Sequence, residues 1–403
     1  MKINATLGLV KSKFPYVVLV FLLIQPLLDV LTAVGEQYHW AVSISLLVRG
    51  VFLLTAGVYL WRTKWRIPLI VIVSFGAIFA LYNLVFAGDY LFGNVVTAVK
   101  VFYLPILAMF FASYFSKLLK PTIYFWLLLL YLALLLVPAI LGLNIVDPVN
   151  YDGKVWSRGL FLAGNDIVAI LLCLAPKVLS SLWKNKQIAY LVCTSILLVV
   201  ATVLIGTKAM IIGLAVIAVY LIISAGRSWA KKTKVIVSGA SLTVLLVGII
   251  TMPFTPVFQN TLIAFNYHGV DSVNDIVRPD IIDKVVLSER PTFFMRSLET
   301  YIDADFGQKL FGLNRSVDDK IVESDPVDIF FGVGIVGSIV YIFWLICLCR
   351  KIDWSAIARV NKFTLILMMM LALVVGHVLI TPAVATIVAT LLQHNQKKGK
   401  ITT

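Results

Sequence analysis

Charge is scarce in this sequence. Of 403 residues, 13% are Asp, Glu, Lys or Arg, whereas soluble domains carry about a quarter, and 61% are hydrophobic. Mean hydropathy is +0.98. So few charges cannot cover a water-facing surface, which excludes an ordinary soluble domain. Cysteine is also scarce. Cys173, Cys193, Cys347 and Cys349 all lie in apolar runs, which argues against a disulfide framework and against a metal site; Cys347 and Cys349, two apart, fall on different faces of a helix. There is no Walker-type Gly-rich loop and no visible internal repeat. No small-residue cleavage site follows the basic N-terminus, so the first apolar run reads as a retained span rather than a signal peptide.

What the sequence does have is apolar runs. A helix needs about 20 apolar residues to cross roughly 30 Å of hydrocarbon. Such runs occur near 14–34, 40–60, 67–87, 95–115, 122–143, 159–181, 187–205, 208–225, 235–252 and 327–349, with a final apolar stretch over 363–392. The net charge of +14 raises nucleic acid as a partner, but its distribution argues for a lipid bilayer instead. Basic residues cluster before the first run (Lys2, Lys11, Lys13) and after the second (Arg62, Lys64, Arg66), fourth (Lys117, Lys120), sixth (Lys184, Lys186), eighth (Arg227, Lys231, Lys232, Lys234) and tenth (Arg350, Lys351). The alternate connections are poor in basic residues, and carry Glu36 and Asp89. Every second connection is therefore expected in the cytoplasm. The final stretch contains Gly376, His377 and Pro382 near its middle, and Lys397, Lys398 and Lys400 follow it. Two short helices return that basic tail to the cytoplasm; a single span does not.

The expected fold is an all-α polytopic integral membrane protein of about twelve transmembrane helices, with a large extracytoplasmic loop between helices 9 and 10 and both termini cytoplasmic. Its parts are a membrane bundle over 1–252, the loop over 253–325, and helices 10–12 with the tail over 326–403. The loop from Pro253 to Asp325 holds seven basic and twelve acidic residues, a net of −5 in a chain of +14. Within it, Pro291–Tyr301 reads as a helix with proline suited to the first turn, and Phe294, Leu298 and Tyr301 share one face. That face is available to lie on the membrane or to cap the bundle.

Asp29, Arg49, Lys100, Asp166 and Lys208 interrupt the apolar runs. A charge at the bilayer centre costs at least about 2.5–3.5 kcal/mol, so such residues face a cavity or one another. An internal Asp29–Arg49 salt bridge and a role in binding substrate are both open readings. Lys100 and Lys208 fall near the outer ends of their spans, where snorkelling is the ordinary explanation. Arg158 opens the sixth run in a segment that continues to Asn165 and Asp166, and Arg290 and Arg296 begin the loop helix, with Arg278 and Arg315 elsewhere in the loop. Glu323, Asp325 and Asp328 stand where the loop re-enters the membrane. Asp325, just before Pro326, suits a helix N-terminus. Arginines bind diphosphate bidentately and a carboxylate serves as general base toward a hydroxyl, so this outward-facing set fits chemistry on a lipid-linked sugar.

Several short motifs, in order, resemble the O-antigen ligase and polysaccharide polymerase superfamily of bacterial membrane proteins. They are Gln25-Pro-Leu-Leu-Asp29 followed by Arg49-Gly50; Arg158-Gly159 through Asn165; Gly206-Thr207-Lys208; Leu287-Ser-Glu-Arg290; Leu310-Phe311-Gly312; and Glu323-Ser-Asp325 with Asp328 and Gly334–Gly337. The opening motif looks like a Gram-positive branch. Ligases that attach O-antigen to lipid A core carry a histidine near the end of this loop; here Glu323 and Asp325 stand there, and the loop's histidine is His268, far upstream. The acidic variant looks more like capsule, exopolysaccharide or teichuronic-acid polymerases.

The resemblance implies an enzyme of the bacterial plasma membrane that joins repeat units carried on undecaprenyl diphosphate at the outer leaflet. It implies no metal and no nucleotide cofactor. Arg290, Glu323 and Asp325 are the expected catalytic residues, with Arg158, Lys208, Arg296, Asn165, Asp328, Arg49 and Lys100 binding substrate. A chain-length regulator or a flippase is a possible partner. Two other readings stay open: transfer of finished glycan to another acceptor, as in a ligase, and a lipid-linked glycan transporter.

Overall fold

The computed structural model describes residues 14–40, 43–114, 119–143, 157–226, 289–314, 322–376 and 378–393, with 258, 259, 262, 263, 265, 281 and 283 between them. The expected span at 235–252, the loop residues His268, Arg278 and Arg315, and His377 lie outside these residues. Helices α1 (Phe14–Leu23), α2 (Gln25–Gln37), α3 (Ile44–Leu60), α4 (Arg66–Phe86), α5 (Leu91–Ser113), α6 (Pro121–Leu141), α7 (Gly164–Lys184), α8 (Ile188–Ile205) and α9 (Lys208–Gly226) come first. After them follow α10 (Arg290–Asp303), α11 (Phe306–Phe311), α12 (Asp325–Lys351), α13 (Arg359–Val374) and α14 (Pro382–Thr390). No strand occurs among the described residues.

Six helical stretches among the described residues are long and apolar enough to cross a membrane: Arg66–Phe86, Gly88–Ser113, Pro121–Leu141, Gly164–Lys184, Ile188–Ile205 and Asp325–Lys351. The α1–α2 pair makes a seventh if the two are one span. It is bent by 49°. The cause is Pro26, which has no N–H to give the preceding turn. Gln25 Nε2 donates to the Phe21 carbonyl at 3.1 Å, in the turn where the pair bends. Large apolar side chains stand on the surface of these helices; Leu54 and Val58 of α3 are 74% and 73% exposed. Repeated along α4, α8 and α9, such exposure suits lipid.

The chain divides into two compact units. The first comprises Met1–Leu31, Trp40–Lys120 and Arg290–Thr403. At its centre is α5, buried from Val101 to Ala112 and packed against α3, α4, α12 and α14. Helix α14 is short and made of small residues, and Ala383 to Thr390 are all buried. At 1.5 Å per residue it rises only about 13 Å, well under the thickness of a bilayer. Thr386 Oγ1 meets Tyr103 Oη of α5 at 3.2 Å, and Asn361 Nδ2 of α13 donates to the Leu391 carbonyl at 2.9 Å. The final apolar stretch is thus two helices of unequal kind, with Gly376 in the break between them.

Helix α12 starts with Pro326 in its first turn and is interrupted at Gly334 (φ 66°, ψ −169°). The interruption receives the Leu310–Gly312 segment that ends α11. Leu313 N donates to the Phe331 carbonyl at 2.8 Å. Gly312 has φ 100°, and a side chain on it would run into the Gly332 carbonyl; one on Gly334 would run into that of Leu310. Backbone meets backbone here, which only glycine permits. Over this junction lies α10, with Leu298 and Tyr301 packed against Leu313, Val322 and Phe331. Phe293 joins them, and the Phe294 ring lies 6.3 Å from that of Phe331. The apolar face of α10 therefore caps the start of α12.

The second unit comprises Thr32–His39 and Pro121–Glu289. Its core is α7, buried from Ile167 to Pro176 and packed against α6, α8 and α9. Gly213 of α9 lets the Leu172 side chain approach, and Lys177 Nζ sits 3.3 Å from the centre of the Tyr124 ring.

Candidate functional site

In the first unit the loop that ends at α12 brings two predicted residues together. Arg290, the first residue of α10, donates from Nη2 to Glu323 Oε2 at 2.8 Å. Both side chains are about a quarter exposed, at 23% and 27%. The pair is monodentate, although a guanidinium offers five donors in a planar fork. Arg290 Nε is buried and has no hydrogen-bond partner among the described residues. The backbone is strained beside the pair: Glu323 has φ 61°, and so does Glu289, the residue before Arg290. Positive φ is uncommon for a residue with a side chain, and its presence at Glu323 and next to Arg290 marks a geometry imposed by the surroundings.

Those surroundings are the first turn of α12. Asp328 accepts from the N–H groups of Val322 and Ser324, each at 3.0 Å, in the manner of an acid reaching back over its helix N-terminus. It is 5% exposed. Asp325 is wholly buried, and its Oδ2 accepts from Val378 N at 2.8 Å and Leu379 N at 2.6 Å. Asp325 was expected among the catalytic residues and Asp328 among those that bind substrate. Asp328 takes up N–H groups of the segment entering α12, which have no helical partner, and Asp325 Oδ2 takes up N–H groups of the α13–α14 break. Asp325 is thus wholly buried where Glu323 is about a quarter exposed.

Arg296 is exposed on α10, its guanidinium 5.9 Å from the centre of the Phe293 ring. Lys100 is exposed on α5. Arg49 has a different setting. It pairs with Asp29, donates from Nε and Nη2 to Gln25 Oε1 at 3.2 and 3.1 Å, and from Nη1 to Ser45 Oγ at 2.7 Å. Expected to bind substrate, it is a buried cation tied to the kink of the α1–α2 pair, and the internal salt bridge is the reading the geometry supports.

In the second unit, Arg158 lies on the turn before α7, donating to the Leu162 carbonyl at 2.8 Å. Burial pulls its guanidinium pKa down from the ordinary value while the Asp166 carboxylate opposes that pull. Gly159 (φ 56°) lets this turn lie against Leu134 and Leu135 of α6, and Leu160 N donates to the Leu134 carbonyl at 3.2 Å. Ser157 N donates to the Leu204 carbonyl at 2.9 Å, just before Gly206 closes α8 in the left-handed conformation. Thr207 Oγ1 then accepts from Met210 N at 3.4 Å, and Lys208 begins α9, exposed. Arg158 and Lys208, fifty residues apart in sequence, thereby come to the same end of this unit. Asn165 and Asp166 are in the first turn of α7, partly exposed.

Residues 11–275 and 278–394 match the family described as O-antigen ligase like membrane protein. The chain belongs to this family. It is a multi-pass membrane protein of a class that transfers glycans. No curated protein and no solved structure matches it. Sequence reasoning about this O-antigen ligase like protein missed one participant, the α13–α14 break, whose backbone at Gly376 lies against that of Glu323. The signal was present as a glycine and a proline inside an apolar run, but nothing in the pattern tied that break to Glu323.

Proposed function

We propose that this protein is a polysaccharide polymerase of the Gram-positive type, which joins repeat units carried on undecaprenyl diphosphate at the outer leaflet of the bacterial plasma membrane. A hydroxyl of one lipid-linked unit attacks the anomeric carbon of the glycan on a second lipid. The new C–O bond forms as the bond from that carbon to the diphosphate oxygen breaks. The lipid diphosphate leaves with the electron pair, and the hydroxyl proton passes to Glu323. Arg290 stabilises the charge that develops on the departing diphosphate. What carries this reading is the Arg290–Glu323 pair, a partly exposed acid and cation joined by a single hydrogen bond of 2.8 Å. When a diphosphate takes up donors of Arg290, the Glu323 carboxylate is released from its hydrogen bond to accept from the attacking hydroxyl. Arg158 and Lys208 are the second unit's candidate phosphate ligands, with Asn165 a further candidate on the same unit. Arg296 is a further candidate on the first unit.

The test is deletion of the gene in its native host, with lipid-linked glycans resolved by size. Single repeat units accumulate, and wild type restores long chains. Arg290→Ala and Glu323→Gln, inserted normally, each lower polymer yield by about 100-fold or more, the loss typical of a general base or an electrostatic donor. Full-length polymer from both variants sinks the assignment of residues. Long chains stranded on the carrier lipid indicate a ligase, and no change in any lipid-linked glycan sinks the reading as a whole.

A further inference from the structure

Glu323 sits in a conformation its own sequence disfavours, and an element some fifty residues downstream holds it there. Four contacts do so. Ser324 Oγ donates to the Leu373 carbonyl at 3.1 Å, at the end of α13. Gly376 (φ +71°) brings its α-carbon onto the Glu323 backbone, where a Cβ would stand 2.6 Å from the carbonyl carbon and 2.7 Å from its oxygen. Asp325 Oδ2 gathers the N–H groups of Val378 and Leu379 at 2.8 and 2.6 Å. On the other side, Asp328 holds Val322 N and Ser324 N. The backbone is thus pinned on both flanks of Glu323, whose φ of 61° is costly for a residue with a side chain. With the main chain fixed, the Glu323 carboxylate is aimed at Arg290.

We propose that the α13–α14 break is a built seat for Glu323, and that Asp325 and Gly376 are positioning residues that set the direction of its carboxylate. This rests on the glycosyl-transfer reading. It separates two acids that the sequence places two apart: Glu323 touches the reacting hydroxyl, and Asp325 acts through Glu323. For accepting two backbone N–H bonds a carboxylate is replaceable by a carboxamide, whose oxygen accepts the same pair. A carboxylate that takes a proton is not. Glycine at 376 is required both by its positive φ and by the closeness of the Glu323 backbone.

The experiment compares Asp325→Asn, Asp325→Ala and Gly376→Ala in the deletion strain, with the full-length variants also purified in detergent. Polymer yield reads turnover, and binding of farnesyl diphosphate, followed as a rise in unfolding temperature, reads the donor site. Asp325→Asn keeps polymer within about threefold of wild type, as one acceptor oxygen remains. Asp325→Ala and Gly376→Ala lose tenfold or more, on the order of one misplaced catalytic group, while farnesyl diphosphate still binds. An Asp325→Asn variant that folds, binds the diphosphate and makes no more polymer than Asp325→Ala overturns the proposal, because Asp325 would then be the proton acceptor. Wild-type yield from Gly376→Ala overturns it as well. Should Asp325→Ala fail to fold, the yield of Asp325→Asn decides alone. Failure of the glycosyl-transfer reading has a separate signature, since the deletion then alters no lipid-linked glycan, and the proposal falls with it.

Discussion

Asp29 and Arg49 form an ion pair inside the first unit, their side chains 16% and 8% exposed. Gln25 Oε1 and Ser45 Oγ also accept from the guanidinium, so the cation is held on three sides at the point where Pro26 bends the α1–α2 pair. A charge this deep in an apolar bundle is tolerated because its partners replace hydration.

Breaking that pair on one side leaves the Asp29 carboxylate without its cation. Arg49→Ala is expected to cost about 3–5 kcal/mol, whereas Arg49→Leu combined with Asp29→Leu recovers most of the loss. Thermal unfolding of the purified chain in detergent measures both. A double variant that is stable yet makes no polymer would return Arg49 to the substrate-binding residues.

Gly312 and Gly334 are where the segment after α11 enters the break in α12. Each has positive φ, at 100° and 66°, and each faces a backbone carbonyl. Alanine at either is expected to destabilise by about 1–3 kcal/mol, the range for an imposed strained backbone. Gly88→Ala is the control. Its φ is +53° but nothing lies within 4 Å of a Cβ there, so it incurs only the conformational cost. Equal unfolding temperatures for all three variants would count against the backbone-to-backbone junction.

Arg158 offers a planar fork from a turn fixed by Gly159 and Ser157. If it grips a phosphate bidentately, Arg158→Lys loses about tenfold or more in polymer yield, since a hydrogen bond to a charged group contributes about 1.5–3 kcal/mol and the ammonium cannot make the paired contact. Yield of lipid-linked polymer in the complemented deletion strain measures this. Unchanged yield would mean that positive charge alone is required at this position.

The apolar runs were legible because a transmembrane helix is a local object. Its length and composition follow from the bilayer, and nothing distant has to be known. Accordingly 67–87, 122–143 and 187–205 reappear within a few residues as α4, α6 and α8. The kink at Pro26 was visible as a residue, though 14–34 read as one run. Harder to read was the final stretch, where Gly376 and Pro382 mark an interruption without saying that α14 is a short buried helix against α5. Apolarity alone does not distinguish a helix facing lipid from one facing protein.

The site divides the same way. Arg290 and Glu323 were identifiable as an ionisable pair of types suited to diphosphate and hydroxyl chemistry, because residue chemistry travels with the sequence. Which of Glu323, Asp325 and Asp328 is presented, and which are consumed by backbone, was not. All three are carboxylates within six residues, and their difference lies in what each meets: Asp325 the N–H groups of 378 and 379, Asp328 those of 322 and 324, Glu323 the guanidinium of Arg290. The sequence by itself determined the membrane class and the inventory of charges, since both follow from residue-by-residue transfer energetics. Only the tertiary structure decided what each carboxylate meets, because that depends on which donors the fold brings within about 3 Å of it.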